Sequence, residues 1–332
     1  MSNSFWDNLP PHFTILAPME GVTDVVFRRV IEKAGRPDIF FTEFTNVSSF
    51  ASEKGRHDAL ERLDIVGLSS KIEGDISRNL ESPIVAQIWG KNPEHFAETA
   101  KALEKLGFSG LDINMGCPDK HVNKAGGGAA MIKTPELAID CIKKARVATN
   151  LPISVKTRLG FTYLDEYKSW LPLLLNEQLA ALTVHLRTRK EMSKVTAHYE
   201  LIPEILKMRA AIAPNTKIII NGDIKDRHDI EKLSKEYPEI DGFMIGRGVF
   251  ENPYCFTNHQ PTRKELKDLF LCHLDLFDAR AKELEERGSR YPYEPLKHFF
   301  KIYFSGFDGS KEFRAKLMTC KNTAELRRIL SC

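Results

Sequence analysis

The sequence predicts a (β/α)₈ TIM barrel followed by a small all-helical C-terminal domain. Three observations carry that prediction. Eight short apolar runs, many of them β-branched, alternate with longer amphipathic stretches, over the roughly 250 residues that a closed barrel needs. Most of the runs end in a polar or ionisable side chain. Past residue 255 the runs stop and only helical periodicity remains. The expected division is therefore a barrel over residues 1–255 and a helical domain over 256–332. An open doubly wound sheet is the alternative. The count of eight and the chemistry at the run ends favour the barrel.

The strands are expected at Phe13–Ala17, Ile39–Thr42, Ile84–Ile88, Leu111–Asn114, Ile153–Lys156, Leu182–His185, Lys217–Asn221 and Gly242–Ile245. Several helices are marked by their ends. Thr23-Asp24 can cap Val25–Ala34, which stops at Gly35. Asn92-Pro93-Glu94 and Thr134-Pro135-Glu136 each put proline in a first turn. Asp226 can cap a helix reaching Tyr237, which Pro238 stops. Leu68–Ser82 is polar, contains Gly74, and is read as a surface excursion before the third strand. After a linker at Pro253–Pro261, Lys264–Arg287 reads as one long helix with Leu266, Leu269, Phe270, His273, Leu274 and Phe277 on its apolar stripe. Shorter helices are expected at Pro295–Phe304, Ser310–Met318 and Thr323–Leu330.

Composition narrows the class. With 42% hydrophobic and 28% charged residues the chain is an ordinary globular protein. The start, MSNSFWDNLPPHF, has neither the basic nor the apolar region of a signal peptide, and no run spans a membrane. Six cysteines without CxxC spacing argue against structural zinc or a disulfide framework and fit a reducing cytoplasm. No metal site is expected, and the chain is expected to be a cytoplasmic monomer. The charge is uneven. Residues 261–332 carry 15 Lys and Arg against 11 Asp and Glu, and the rest of the chain 33 against 34. The C-terminal part alone is basic, which suits a polyanion and equally suits solvated helix faces.

In this fold the active site lies at the C-terminal ends of the strands. Those ends supply Pro18-Met19-Glu20, Glu43, Gln87, Asn114 and Cys117, Lys156 and Arg158, His185 and Arg187, Asn221-Gly222-Asp223, and Gly246-Arg247-Gly248. Glycine-rich turns after strands seven and eight form the usual phosphate site of such barrels, and Arg247 adds charge. With a Lys and a Gln on the rim, a flat phosphorylated cofactor is indicated, and FMN fits. Lys156 can stabilise an anionic reduced ring, while Gln87 and Asn114 offer amide hydrogen bonds to its pyrimidine edge or to a substrate. No GxGxxG follows an early strand, so NADPH would dock only transiently as reductant.

Cys117, on the loop after strand four, can act as nucleophile or proton donor. His185 is the rival acid and can equally be structural. The Gly126–Gly128 run reads as a hinge that lets the Cys117 loop close. Lys120, His121, Asn123 and Lys124 either meet substrate phosphates or form a solvated loop.

These residues resemble the tRNA-dihydrouridine synthases over about residues 13–256. The likeness rests on APMEGVTD at Ala17–Asp24, VAQIWG around Gln87, NMGCP at Asn114–Pro118 with the following GGGAA, VKTRLG at Val155–Gly160, HLRTR at His185–Arg189, NGD at Asn221–Asp223 and MIGRG at Met244–Gly248. The resemblance implies bound FMN, NADPH as reductant, and reduction of a uridine double bond in folded RNA. By it, Cys117 protonates carbon 5 after hydride reaches carbon 6. Pro18, Met19, Glu20, Gln87, Lys156, His185, Asn221, Gly222, Asp223, Gly246 and Arg247 become flavin contacts, and Asn114 contacts flavin or uracil. Glu20 and GGGAA look nearer to the bacterial branch that modifies uridine 16. The motifs do not separate tRNA from ribosomal RNA. The alternatives are a flavin barrel acting on a free pyrimidine such as dihydroorotate, and a non-catalytic RNA-binding barrel, which the intact Cys117, Lys156 and His185 oppose.

Overall fold

In the computed structural model, which describes residues 4–64 and 82–331, all eight expected strands are present and parallel. They are β1 (Phe13–Leu16), β2 (Ile39–Asn46), β3 (Ile84–Trp89), β4 (Gly110–Met115), β5 (Ile153–Gly160), β6 (Ala181–Thr188), β7 (Lys217–Asn221) and β8 (Gly242–Ile245). They pair in chain order, and β8 returns to β1 with Phe13 opposite Gly242 and Leu16 opposite Ile245. The sheet is a closed barrel, so the open alternative is excluded.

Alternation along each strand divides the barrel into two environments. Leu111, Ile113 and Met115 of β4 point out into the large core shared with the helices. Inside, Phe13, Ile15, Ile39, Phe41, Val85, Ile219 and Met244 form a separate apolar cluster around Trp6. A turn of 3₁₀ helix at Phe5–Asn8 places Trp6 under the barrel, its ring 5.9 Å from that of Phe13. The sequence patterning gave no sign of this N-terminal plug. It fills the lower end of the barrel with apolar groups and leaves the polar inward-facing residues at the C-terminal end.

Asp24, Asn92 and Asp226 each cap the helix that the sequence marks them to start. Asp24 accepts from the Phe27 amide at 2.9 Å to start α1 (Val25–Gly35). Then come α2 (Val47–Ala51), α3 (Glu53–Arg62) and α4 (Pro93–Lys105), the last capped by Asn92 at 3.0 Å. They are followed by α5 (Lys120–Lys124), α6 (Pro135–Ala148), α7 (Tyr167–Asn176), α8 (Ile202–Ile212), α9 (Arg227–Glu236) and α10 (Gly248–Glu251). Thr134 makes no side-chain cap, so Pro135 alone marks the start of α6. The surface excursion expected at Leu68–Ser82 lies outside the described residues apart from Ser82, whose buried hydroxyl donates to the Pro37 carbonyl at 2.7 Å.

Among the described residues no strand follows β8. Helix α11 (Arg263–Glu286) is capped by the Thr262–Glu265 box. A 3₁₀ turn at Glu294–Phe299 runs into α12 (Phe300–Tyr303), and α13 (Ser310–Met318) and α14 (Thr323–Leu330) complete the chain. These helices are packed tightly onto the barrel. Phe27 of α1 lies 4.8 Å from the ring of Phe299, Arg280 reaches Asp64 at 2.7 Å, and the Tyr291 hydroxyl donates to Asp24. His273 sits on the apolar stripe of α11, its Nδ1 2.8 Å from the Tyr303 hydroxyl. No helix among the described residues is long and apolar enough to cross a membrane.

Candidate active site

The strand register gathers the polar run ends at the C-terminal end of the barrel. Asn114 lies beside Lys156, Arg158 beside His185, and His185 beside Asn221. A cavity of 360 Å³ opens between the ends of β1, β5, β6, β7 and β8. Pro18, Met19, Lys156 and His185 line one part of it. Asn221, Gly222, Asp223, Gly246 and Arg247 line another part, and Lys225 and Glu251 stand at its edge with opposite charges.

The cavity is electropositive by construction. Lys156 Nζ donates to Asn221 Oδ1 at 3.2 Å, and Asn221 Nδ2 donates to the Met244 carbonyl at 2.8 Å. Burial, reinforced by the Arg158 charge, pushes Lys156 down to about 8, which leaves it cationic at neutral pH. Burial, with Arg158 and Lys156 beside it, drives His185 well below its ordinary value, so its imidazole is neutral and its proton is not that of a ready acid. Asp223 lines the cavity, but its carboxylate is committed elsewhere. It pairs with Arg187, accepts from the Ala197 amide at 3.0 Å, and lies 3.4 Å from Arg247. It orients two guanidinium groups toward the site rather than presenting itself to an anion.

Two buried nitrogens there have no protein partner, Nδ1 of His185 and Nη1 of Arg187. Gly222 has φ +121°, and a Cβ on it would lie 3.7 Å from both Arg187 Nη1 and His185 Cε1. Glycine at this turn keeps a space open beside two unpartnered nitrogens, of which the Arg187 one is always a donor, a setting suited to a phosphate or another anion. Arg187, absent from the expected flavin contacts, belongs to this cradle. Its signal was HLRTR, where its place two residues after His185 on β6 puts it on the same face.

The remaining expected residues lie elsewhere on the rim. Gln87 and Asn114 face the barrel interior beside Asp112. Gln87 Nε2 donates to Asp112 at 2.7 Å, and Asn114 Nδ2 donates to Gln87 Oε1 at 2.9 Å. Asn114 Oδ1 accepts the amides of Gly116 and Cys117 at 3.1 and 2.9 Å. Arg158 Nε holds the Gly116 carbonyl at 2.8 Å from the other side. Glu20 is exposed and turned away from the cavity, paired with Arg62 of α3. Its neighbour Glu43 accepts the Gly21 amide at 2.6 Å and so shapes the loop that carries Met19.

Cys117 is half-buried and free. Burial raises its thiol above the ordinary value, against the Asp119 amide that lowers it, so the thiol keeps its proton at neutral pH. The glycines after it are packing devices instead of the expected hinge. Gly128 has φ +59°, and a Cβ there would stand 2.8 Å from the Cys117 carbonyl oxygen. A Cβ on Gly127 would meet the Trp89 ring at 2.7 Å. The segment expected either to meet substrate phosphates or to be a solvated loop is the short helix α5, with Lys120, His121 and Lys124 exposed; Asp119 caps it, and Asn123 donates to the Cys117 carbonyl at 2.8 Å.

The family model for dihydrouridine synthase (Dus) matches residues 15–331, the barrel and the C-terminal helices together. The chain belongs to the dihydrouridine synthase family. It is 49% identical to a probable tRNA-dihydrouridine synthase 2 of Bacillus subtilis strain 168, covering 99% of this chain and 96% of that one. It is 47% identical to a probable tRNA-dihydrouridine synthase of Staphylococcus aureus strain COL, over 99% and 95%. Among solved structures, morphinone reductase in complex with tetrahydroNAD is similar at a TM-score of 0.47 and 11% identity, over 73% of this chain and 84% of that one. As a dihydrouridine synthase the chain is an enzyme, which removes the reading of a barrel kept only to bind RNA.

Proposed function

We propose that this dihydrouridine synthase reduces uridine to 5,6-dihydrouridine in tRNA, with FMN as resident cofactor and NADPH as its reductant. The observation that carries the cofactor is the pair of unpartnered buried nitrogens, on His185 and Arg187, beside the open turn at Gly222. Those groups, with Gly246 and Arg247, would hold the phosphate, and Pro18, Met19 and Lys156 would meet the ring. FMN, when bound, supplies the hydride for uridine carbon 6.

The chain's own residues do the rest. Lys156, cationic below about pH 8, stabilises negative charge at the ring. Asn114 fixes the turn of Cys117, and the protonated thiol delivers its proton to carbon 5, so one hydride and one proton saturate the double bond. Neutral His185 binds and orients rather than serving as the acid. The basic helices of residues 256–332 grip the RNA, and a cytoplasmic monomer suffices, since every group invoked comes from one chain. Within tRNA, uridine 16 is the position proposed, from Glu20 and GGGAA. Ribosomal RNA is the competing substrate.

The test is direct. Purified protein should be yellow, bleach with NADPH and recover its colour with unmodified tRNA. Recovery with free uridine or orotate instead would point to a free-pyrimidine enzyme. Mapping dihydrouridine in RNA from cells with and without the gene product then gives the position and separates tRNA from ribosomal RNA.

A further inference from the structure

Asp112 lies wholly buried inside the barrel, two residues before Asn114 on β4 and on the same face. It accepts from the Ser154 hydroxyl at 2.7 Å and from Gln87 Nε2 at 2.7 Å. An ionised carboxylate only accepts, so Gln87 must present its amide nitrogen to Asp112 and keep its oxygen for the other side. Asn114 meets that oxygen with Nδ2 at 2.9 Å, and its own oxygen is thereby committed to the amides of Gly116 and Cys117. The chain of bonds has one polarity, fixed by a carboxylate at one end and two backbone N–H groups at the other.

We infer that Asp112 is a positioning residue: through Gln87 and Asn114 it sets the orientation of the turn that carries the Cys117 thiol. Burial raises Asp112 to about 6, while Ser154, Gln87 and the nearby Lys156 favour its charge, so it is the required acceptor at neutral pH. The inference rests on the function above only for what Cys117 does. The readout below involves neither FMN nor turnover, so the two can fail separately.

Exchanging the two end groups tests it. In Asn114→Asp, position 114 can no longer donate once ionised, so exchange is followed above pH 7, past the range near 6 in which Asp112 titrates. Gln87 then stands between two carboxylates, and its oxygen must meet one of them whichever way its amide turns. Adding Asp112→Asn restores every bond with the polarity reversed. The new amide at position 112 would donate to Gln87, and Gln87 would donate to the new carboxylate at position 114. That carboxylate would still accept the amides of Gly116 and Cys117. The measurement is NMR hydrogen exchange of those two amides, with iodoacetamide modification of Cys117 alongside. Asn114→Asp should lose protection by about tenfold or more, and the double variant should regain it to within about threefold of the parent. If position 114 acted only locally, Asn114→Asp alone would protect the amides at least as well as the parent, because a carboxylate accepts more strongly than an amide. That result overturns the inference, as does a double variant that restores nothing. Should Asn114→Asp fail to fold, a folded, protected double variant supports the inference and an unfolded one overturns it.

Discussion

Lys156 on β5 donates to Asn221 on β7 at 3.2 Å, a bond that skips β6 and ties two strands across the mouth of the barrel. The same ammonium group is held down to about 8 by burial and then by Arg158. Between about pH 8 and the ordinary lysine range near 10.4, the unfolded chain therefore binds more protons than the native one, and stability rises with pH in that window. Below pH 8 the full penalty of the buried charge is present. Lys156→Met should remove this slope. In urea unfolding at pH 7 and 9.5, the parent should gain roughly 1–2 kcal/mol relative to the variant. The variant should also retain FMN less well, read as flavin lost on gel filtration.

The protonated thiol of Cys117 predicts a split between half-reactions. Cys117→Ala should bind FMN and be bleached by NADPH at the parent rate, while recovery of colour with tRNA slows by about 10²–10⁴-fold. An unchanged reoxidation rate would remove Cys117 from the role of acid. Because burial raises the thiol, its alkylation by iodoacetamide should reach half-maximum at a higher pH than that of free cysteine.

Gly128 and Gly107 separate backbone strain from steric clash. Both have positive φ, +59° and +85°, but a Cβ on Gly107 meets nothing within 4 Å, whereas one on Gly128 meets the Cys117 carbonyl oxygen and Val122 at 2.8 Å. Gly107→Ala should cost about 1 kcal/mol and leave activity alone. Gly128→Ala should cost about 2–3 kcal/mol and slow reoxidation by tRNA as the Cys117 turn is displaced. Thermal unfolding and the flavin assay measure the two effects.

The proposed grip of the C-terminal helices on RNA is tested by point changes, since deleting them would strip Phe299 from Phe27 and Tyr291 from Asp24 and expose part of the barrel's own core. Lys311 and Lys316 are exposed on α13. Changing both to Glu should weaken tRNA binding and reduce the slope of log affinity against log salt by about 0.7–0.9 for each phosphate no longer neutralised. An unchanged slope would assign the grip to the barrel.

The residues most readily read from the sequence are those whose neighbours along the chain define their setting. Polar residues at the ends of β-branched runs mark the rim, so Lys156, His185 and Asn221 can be named from the sequence before the fold brings them together. Asp112 cannot. It stands inside an apolar run, and its meaning comes from Gln87 and Ser154, 25 and 42 positions away. The period of two on β4 places it on the face of Asn114, but that alone says nothing of its partners. Glu20 shows the reverse: the loop after β1 turns its side chain to Arg62, and nothing in APMEG records that direction. Gly126–Gly128 likewise suggest freedom, because glycine signals permissiveness in a sequence, whereas here close approach by Cys117 and Trp89 requires its lack of a side chain.

By itself, then, the sequence determined the order of the strands, the barrel, the helices with marked ends, the place of the Cys117 thiol after β4 and the glycine turns, because periodicity, caps and strand ends are local properties of the chain. Tertiary structure alone decided which way the polar groups point and what they bond to. It left His185 neutral, turned the Asp223 carboxylate onto Arg187 and Arg247, and set Asp112 beneath the Cys117 turn. Those outcomes depend on burial and on donors from distant strands, and neither exists until the barrel closes.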